Sequence, residues 1–252
     1  MVQAPLRTTI RGPTFIRLLA RLTDVDVPPS RQALSDRLSQ WLDWTHAIAL
    51  STALDGRPAV PPPGVRTFGS AEEDECTRAR ASLANTIAGD RLFATAQPQG
   101  SEQAPAEEAS AAAVDYTVFR QRYIAIQRSM QTATGHLRGR LRDLLAQTSA
   151  DMARLAEVDA AMELALSPRE QTLLAAVPAL LGEHFERLRQ AELKALTDAT
   201  VSEDTPPATP GAWLDTFRKD IQSVLLAELD VRFQPVEGLL AALRTRSLGR
   251  HV

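Results

Sequence analysis

"YTVFRQRYIAIQRSMQTATGHLRGRLRDLLAQT", residues 116 to 148, contains neither a proline nor an alternating strand pattern. Tyr116, Phe119, Tyr123, Ile126, Met130, Ala133 and Leu137 recur with a seven-residue period, and Leu141 and Leu144 extend the seam one step out of phase. Such spacing predicts one long amphipathic helix whose apolar stripe needs a partner along its length. At 1.5 Å per residue that helix would run about 50 Å.

The segments around it obey the same logic. Ser149 marks a break before a helix carrying Met152, Leu155, Val158, Met162 and Leu166. "SPRE", Ser167 to Glu170, combines a capping serine, a proline at the first helical position and a returning glutamate, so a new helix is expected there. It would carry Leu174, Val177, Leu181, His184, Leu188 and Ala195 in a second heptad frame, kinked near Pro178. The last segment, from about Ala212 to Arg246, places Phe217, Ile221, Val224, Leu225, Leu229, Phe233, Val236, Leu240 and Leu243 on a core face, with a bend expected at Pro235.

Upstream, a short amphipathic stretch begins at Pro13 with Phe15, Leu18, Leu19 and Leu22. "RLSQWLDWTHAIALSTALDG", residues 37 to 56, concentrates two of the three tryptophans. A single helix from Ser30 to about Asp55 is expected there, with Trp41, Trp44 and Ile48 assigned to packing on its apolar face. "SAEE", Ser70 to Glu73, is a capping box opening a helix to about Ala88. Proline-rich residues 56–70 and the polar, acidic, alanine-rich residues 96–114 read as linkers. The expected architecture is all-α: a smaller N-terminal helical module over 1–95, the linker, and an antiparallel bundle or coiled coil of long helices over 115–252.

Composition agrees with helix and offers little chemistry. Hydrophobic residues are 44% and aromatics only 5% of the 252 residues, so alanine and leucine supply most of the core. A formal charge of −3 excludes a global basic field. The single cysteine, Cys76, comes directly after Glu72, Glu73, Asp74 and Glu75, which disfavour a thiolate; a structural role is expected. No apolar run is long enough for a membrane span and no signal-peptide core opens the chain, so direct membrane insertion is not expected and a cytoplasmic location is.

The four histidines, His46, His136, His184 and His251, form no metal-ligand spacing. No nucleophile elbow, phosphate loop or dinucleotide fingerprint occurs. Catalytic residues, cofactors and metals are therefore not expected. His184 falls on the seam, where a polar residue can set register. Arg120, Arg128, Arg138 and Arg142 lie within about 80° of one another on the long helix, away from its seam. They form a candidate basic ridge for an acidic partner such as the chain's own acidic arm, for anionic lipid headgroups, or for nucleic acid, the last disfavoured because no aromatics interleave.

"RGPTFIRLLARLTDVDVPPSRQALSDRLSQWLDWTHAIALSTALDG", "FRQRYIAIQRSM", "GHLRGRLRDLLAQ" and "LLAAVPALLGEHFERLRQAE" together resemble a proteobacterial family of domains of unknown function, number three-three-four-eight in that series. The resemblance spans nearly the whole chain and brings no catalytic residues with it. It implies a setting beside inner-membrane components of the proton-channel type, related to flagellar stators, and beside peptidoglycan-binding proteins. The resulting expectation is a non-enzymatic scaffold or adaptor that self-associates or engages a protein partner, such as an inner-membrane channel-like protein, through the seams. The alternative is a nucleic-acid-associated protein using the arginine ridge.

Overall fold

A computed structural model describes residues 14–25, 32–56, 68–94, 114–201 and 211–248. These form eight α-helices and no strand: α1 (Thr14–Thr23), α2 (Leu34–Trp41), α3 (Trp44–Asp55), α4 (Ser70–Ala88), α5 (Tyr116–Thr148), α6 (Ala150–Ala175), α7 (Val177–Val201) and α8 (Ala212–Leu248). The fold is all-α.

The α5 stripe is the organising surface. Its buried residues are Phe119, Tyr123, Ile126, Met130, Thr134, Leu137, Leu141 and Leu145, joined by Gln127. Their spacing repeats after eleven residues: Phe119, Met130 and Leu141 form one set, and Tyr123, Thr134 and Leu145 another. An eleven-residue repeat is about 3.67 residues per turn, close to a straight helix, whereas a heptad drifts about 20° per repeat. Thr134 therefore takes the buried position that a strict heptad assigns to Ala133, and Leu145 is buried where Leu144 lies at the edge. The architecture is a helical bundle rather than a heptad coiled coil.

Four helices close around α5. Ser149 caps α6, its Oγ accepting from Met152 N at 3.3 Å, and α6 returns along α5. The chain then continues through α7, and α8 runs back beside α7 and in the same direction as α5: Phe217 meets Phe119 edge-on at 5.2 Å, and Glu228 meets Tyr123. Antiparallel to α8, α4 is tied along its length by Glu73 to Arg244 at 2.6 Å, Arg80 to Asp230 at 2.6 Å, and Gln222 to the Ile87 and Ala88 carbonyls at 3.2 Å. α1 closes the α7–α8 corner with Phe15 and Leu22 buried.

These contacts revise the expected division of the chain. Phe15, Leu22, Cys76, Leu83, Ile87 and Phe93 belong to the same apolar core as the helices after residue 114. Among the described residues before 95, α1 and α4 pack into the bundle, and α3 lies against α6. The expected linker positions 57–67 and 96–113 lie outside the described residues.

Three helix boundaries also move. The expected Ser30–Asp55 helix is two helices, because the Asp43 carboxylate accepts from His46 N at 2.8 Å and starts α3 afresh. α4 is capped one residue early: Glu72 Oε2 accepts from Gly69 N at 3.0 Å. The start expected at Ser167 does not occur, since α6 passes through Pro168 and stops at Ala175. Pro168 withholds a donor from Leu164, a residue that is 65% exposed. Pro178 withholds one from Leu174, which is buried, and there the helix breaks.

Candidate functional site

The break is closed by a side chain. Gln127 Nε2 donates to the Leu174 carbonyl at 3.1 Å, in place of the amide proline lacks, and its other near neighbours are the two Glu228 oxygens at 3.1 and 3.0 Å. Glu228 is completely buried. Its carboxylate also accepts from Tyr123 Oη at 2.6 Å and from Arg232 Nε at 2.8 Å, and Arg232 reaches Glu170 at 3.8 Å. Burial, and then the Glu228 charge, push the Tyr123 hydroxyl well above its ordinary range, so it is held as a donor. At the entry to α7, Tyr116 donates to the Pro178 carbonyl, and burial pushes its pKa up to about 12.

This arrangement joins α5, α6 and α8 at one level of the bundle. Its polar groups are paired with one another, and Arg232 balances the buried Glu228 carboxylate. Gln127, Glu228 and Arg232 were missed by pattern reading. Their sequence signal is a polar side chain within an apolar run, as in "LLAELDV", residues 225 to 231.

The seam residues are brought together, but within one chain. Phe119, Tyr123, Ile126, Met130, Leu137, Leu174, Leu181 and His184 are buried, and Tyr116 and Leu188 are half-buried against the same core. The expectation of an open partner seam is therefore corrected: α6, α7 and α8 fill it. His184 Nε2 lies 2.8 Å from Asp220 Oδ2, Arg21 approaches the same carboxylate at 3.5 Å, and Arg187 donates to the Leu22 carbonyl. The polar seam residue thus ties α7 to α8 beside the attachment of α1.

The basic ridge is not continuous. Arg138 binds Asp159 through two bonds of 2.8 and 2.7 Å, and Arg142 pairs with Glu163 and Asp159. These acids belong to α6 and not to the expected acidic arm. Arg120 and Arg128 are exposed. Two of the four ridge arginines are thereby spent on holding α6 to α5. Neighbouring arginines are used likewise, Arg122 on Asp90 and Arg140 on Glu75.

The tryptophan block divides. Trp41 is half-buried with Arg169 stacked 4.7 Å from its ring centre. Trp44 is 80% exposed and Ile48 50%, so neither performs the packing expected of it. With α3 restarted at Asp43, its inner face is His46, Ala49, Leu50 and Ala53, and Trp44, Ala47, Ile48 and Leu54 turn outward.

A family model described as protein of unknown function (DUF3348) matches residues 1–245. The chain belongs to this family. No curated protein and no solved structure matches it. Among the described residues of this DUF3348 protein, no group of three His, Cys, Asp or Glu side chains is placed to hold a metal ion, and no helix is long and apolar enough to cross a membrane. Cys76 is buried, and burial followed by Glu75 raises its thiol pKa. A shallow depression of about 510 Å³ beyond the end of α4 is bordered by Asn85, Thr86, Arg91 and Arg122. Asp90 beneath it is already engaged by Arg122 and by Leu92 N at 3.0 Å.

Proposed function

We propose that this protein is a non-enzymatic helical adaptor, in which a rigid bundle presents α3 to a protein partner. The observation that carries the reading is the outward face of α3, where Trp44, Ile48 and Leu54 are 80%, 50% and 52% exposed. Large aromatic and aliphatic side chains grouped on a surface are the usual anchors of protein interfaces. Among the described residues, the buried Gln127, His184 and Glu228 side chains have protein partners. The family resemblance supports a cytoplasmic position beside an inner-membrane protein of the proton-channel type. The nucleic-acid alternative loses ground because Arg138 and Arg142 already have carboxylate partners.

The test is affinity capture of the tagged full chain from its native cell in mild detergent, with nuclease, comparing wild type with Trp44→Ser/Ile48→Ser. A channel-type membrane protein retained by the wild type and lost from the variant is the expected result. Identical captured proteins from both would overturn the reading.

A further inference from the structure

α1 is ten residues long, and a lone helix below about twelve residues is marginal in water. It owes its shape to what it lies on, chiefly α7 and α8. Its grip has an apolar and a polar part. Phe15 and Leu22 are buried in the core with Leu18 and Leu19 half-buried beside them, whereas Ile16, Arg17 and Arg21 are exposed. The polar part sits at the C-terminal turn. Asp24 adopts the left-handed conformation, with φ 54°, and Val25 N reaches back to the Ala20 carbonyl at 3.1 Å, closing that end from within. The Leu22 carbonyl receives its donor from another helix, the Arg187 guanidinium of α7. A cation at this position also suits the negative end of the α1 dipole. Arg21 adds only a surface pair with Asp220 at 3.5 Å, its side chain 66% exposed, and such pairs contribute little.

α7 and α8 hold each other without α1. Phe185 meets Trp213 edge-on at 4.8 Å and Phe217 at 5.0 Å. His184 Nε2 lies 2.8 Å from Asp220, and Glu192 accepts from Gly211 N at 2.8 Å.

We infer that α1 is a strap that lifts from the α7–α8 corner and returns while the rest of the bundle stays folded, with Arg187 as its latch. The open form bares a corner that the closed form covers, with His184 and Asp220 beside it. This device is separate from the outward face of α3 and does not rest on the adaptor reading.

The experiment is native-state hydrogen exchange of the full chain, followed by mass spectrometry across low concentrations of urea. Amides over 14–23 are expected to exchange at least about tenfold faster than those in the middle of α5. Their rate should also depend less on urea, since lifting one short helix exposes less surface than unfolding the chain. Arg187→Gln is expected to speed exchange over 14–23 by about a further tenfold or more, as the loss of a charge-assisted hydrogen bond should, and to leave α5 and α6 unchanged. Arg187→Lys, which keeps a charged donor, should recover part of that protection. Phe15→Ala, which weakens the opposite end of the helix, should act in the same direction as Arg187→Gln.

Exchange over 14–23 that matches α5 in rate and in urea dependence overturns the inference, because α1 then opens only when the whole chain unfolds. Exchange there that is indifferent to Arg187→Gln removes the latch and overturns it too. So does a rise of equal size in every helix of both variants, the result expected of an ordinary part of the core.

Discussion

Gln127 donates its side-chain amide to the buried carbonyl of Leu174, which Pro178 cannot serve as the fourth residue on and toward which the Ala176 cap N–H also points. One side chain on α5 thereby makes the α6–α7 break tolerable inside the core, and it does so while holding Glu228. Replacing Gln127 by Leu should lower stability by about 1–3 kcal/mol, the usual cost of removing a buried donor from its acceptors, here Leu174 and Glu228. The loss should be smaller in a Pro178→Ala background, where the substituted alanine can supply a backbone amide to Leu174. Urea denaturation of the four proteins in this cycle measures the coupling; strict additivity would contradict it.

Arg232 is the cation that neutralises the fully buried Glu228. Removing it as Arg232→Met should cost about 3–5 kcal/mol, because a charge is then stranded in the core. Glu228→Leu/Arg232→Met should recover much of that loss, since no uncompensated charge remains. Equal destabilisation of the single and double variants in urea would argue against an electrostatic origin.

Arg138 and Arg142 hold α6 through Asp159 and Glu163. Arg138→Gln/Arg142→Gln should therefore destabilise the chain by about 1–3 kcal/mol. Nucleic-acid retention on a heparin or DNA column should be the same in the variant and the wild type. A variant of unchanged stability that elutes at much lower salt would restore the ridge as a binding surface.

Gly182 faces the Tyr116 ring so closely that an added Cβ would lie 2.8 Å from it. The ring cannot simply swing away, because its hydroxyl is engaged by Pro178 and its face by Phe185 and Phe217. Gly182→Ala should cost about 1–3 kcal/mol through overpacking, against the gain in helix propensity that alanine ordinarily brings. Adding Tyr116→Leu should relieve part of this cost in thermal denaturation.

Tyr116 and Tyr123 both have pKa values raised in the fold, Tyr116 to about 12 from an ordinary 10.0. The folded state keeps these protons after the unfolded chain has lost them, so their stabilising contribution is complete below about pH 10 and declines as pH climbs toward 12. Thermal midpoints should fall across that interval, and Tyr116→Phe should flatten the fall. A midpoint independent of pH there would contradict the assignment.

The all-α class and most of the helices come from local pattern alone. Apolar spacing near 3.6 over residues 116 to 148 admits only a helix, and Ser149 can cap only the helix that begins after it. Local signals fail where two helix-compatible choices compete. "SPRE" is a good start signal, yet the helix runs through it at the exposed Leu164 level and ends instead before Pro178, where Leu174 is buried and Gln127 donates to its carbonyl.

Charge partners were equally beyond the sequence. An arginine on the polar side of α5 looks the same whether it faces water or Asp159, and only the return of α6 from Ser149 decides which. Period sets the shape of each helix, since it depends on neighbours three and four residues away. Which apolar faces meet depends on contacts between residues more than a hundred positions apart, such as Tyr123 with Glu228. The tertiary structure closed the α5 seam with the chain's own helices and left the face of α3 that carries Trp44 turned to the outside.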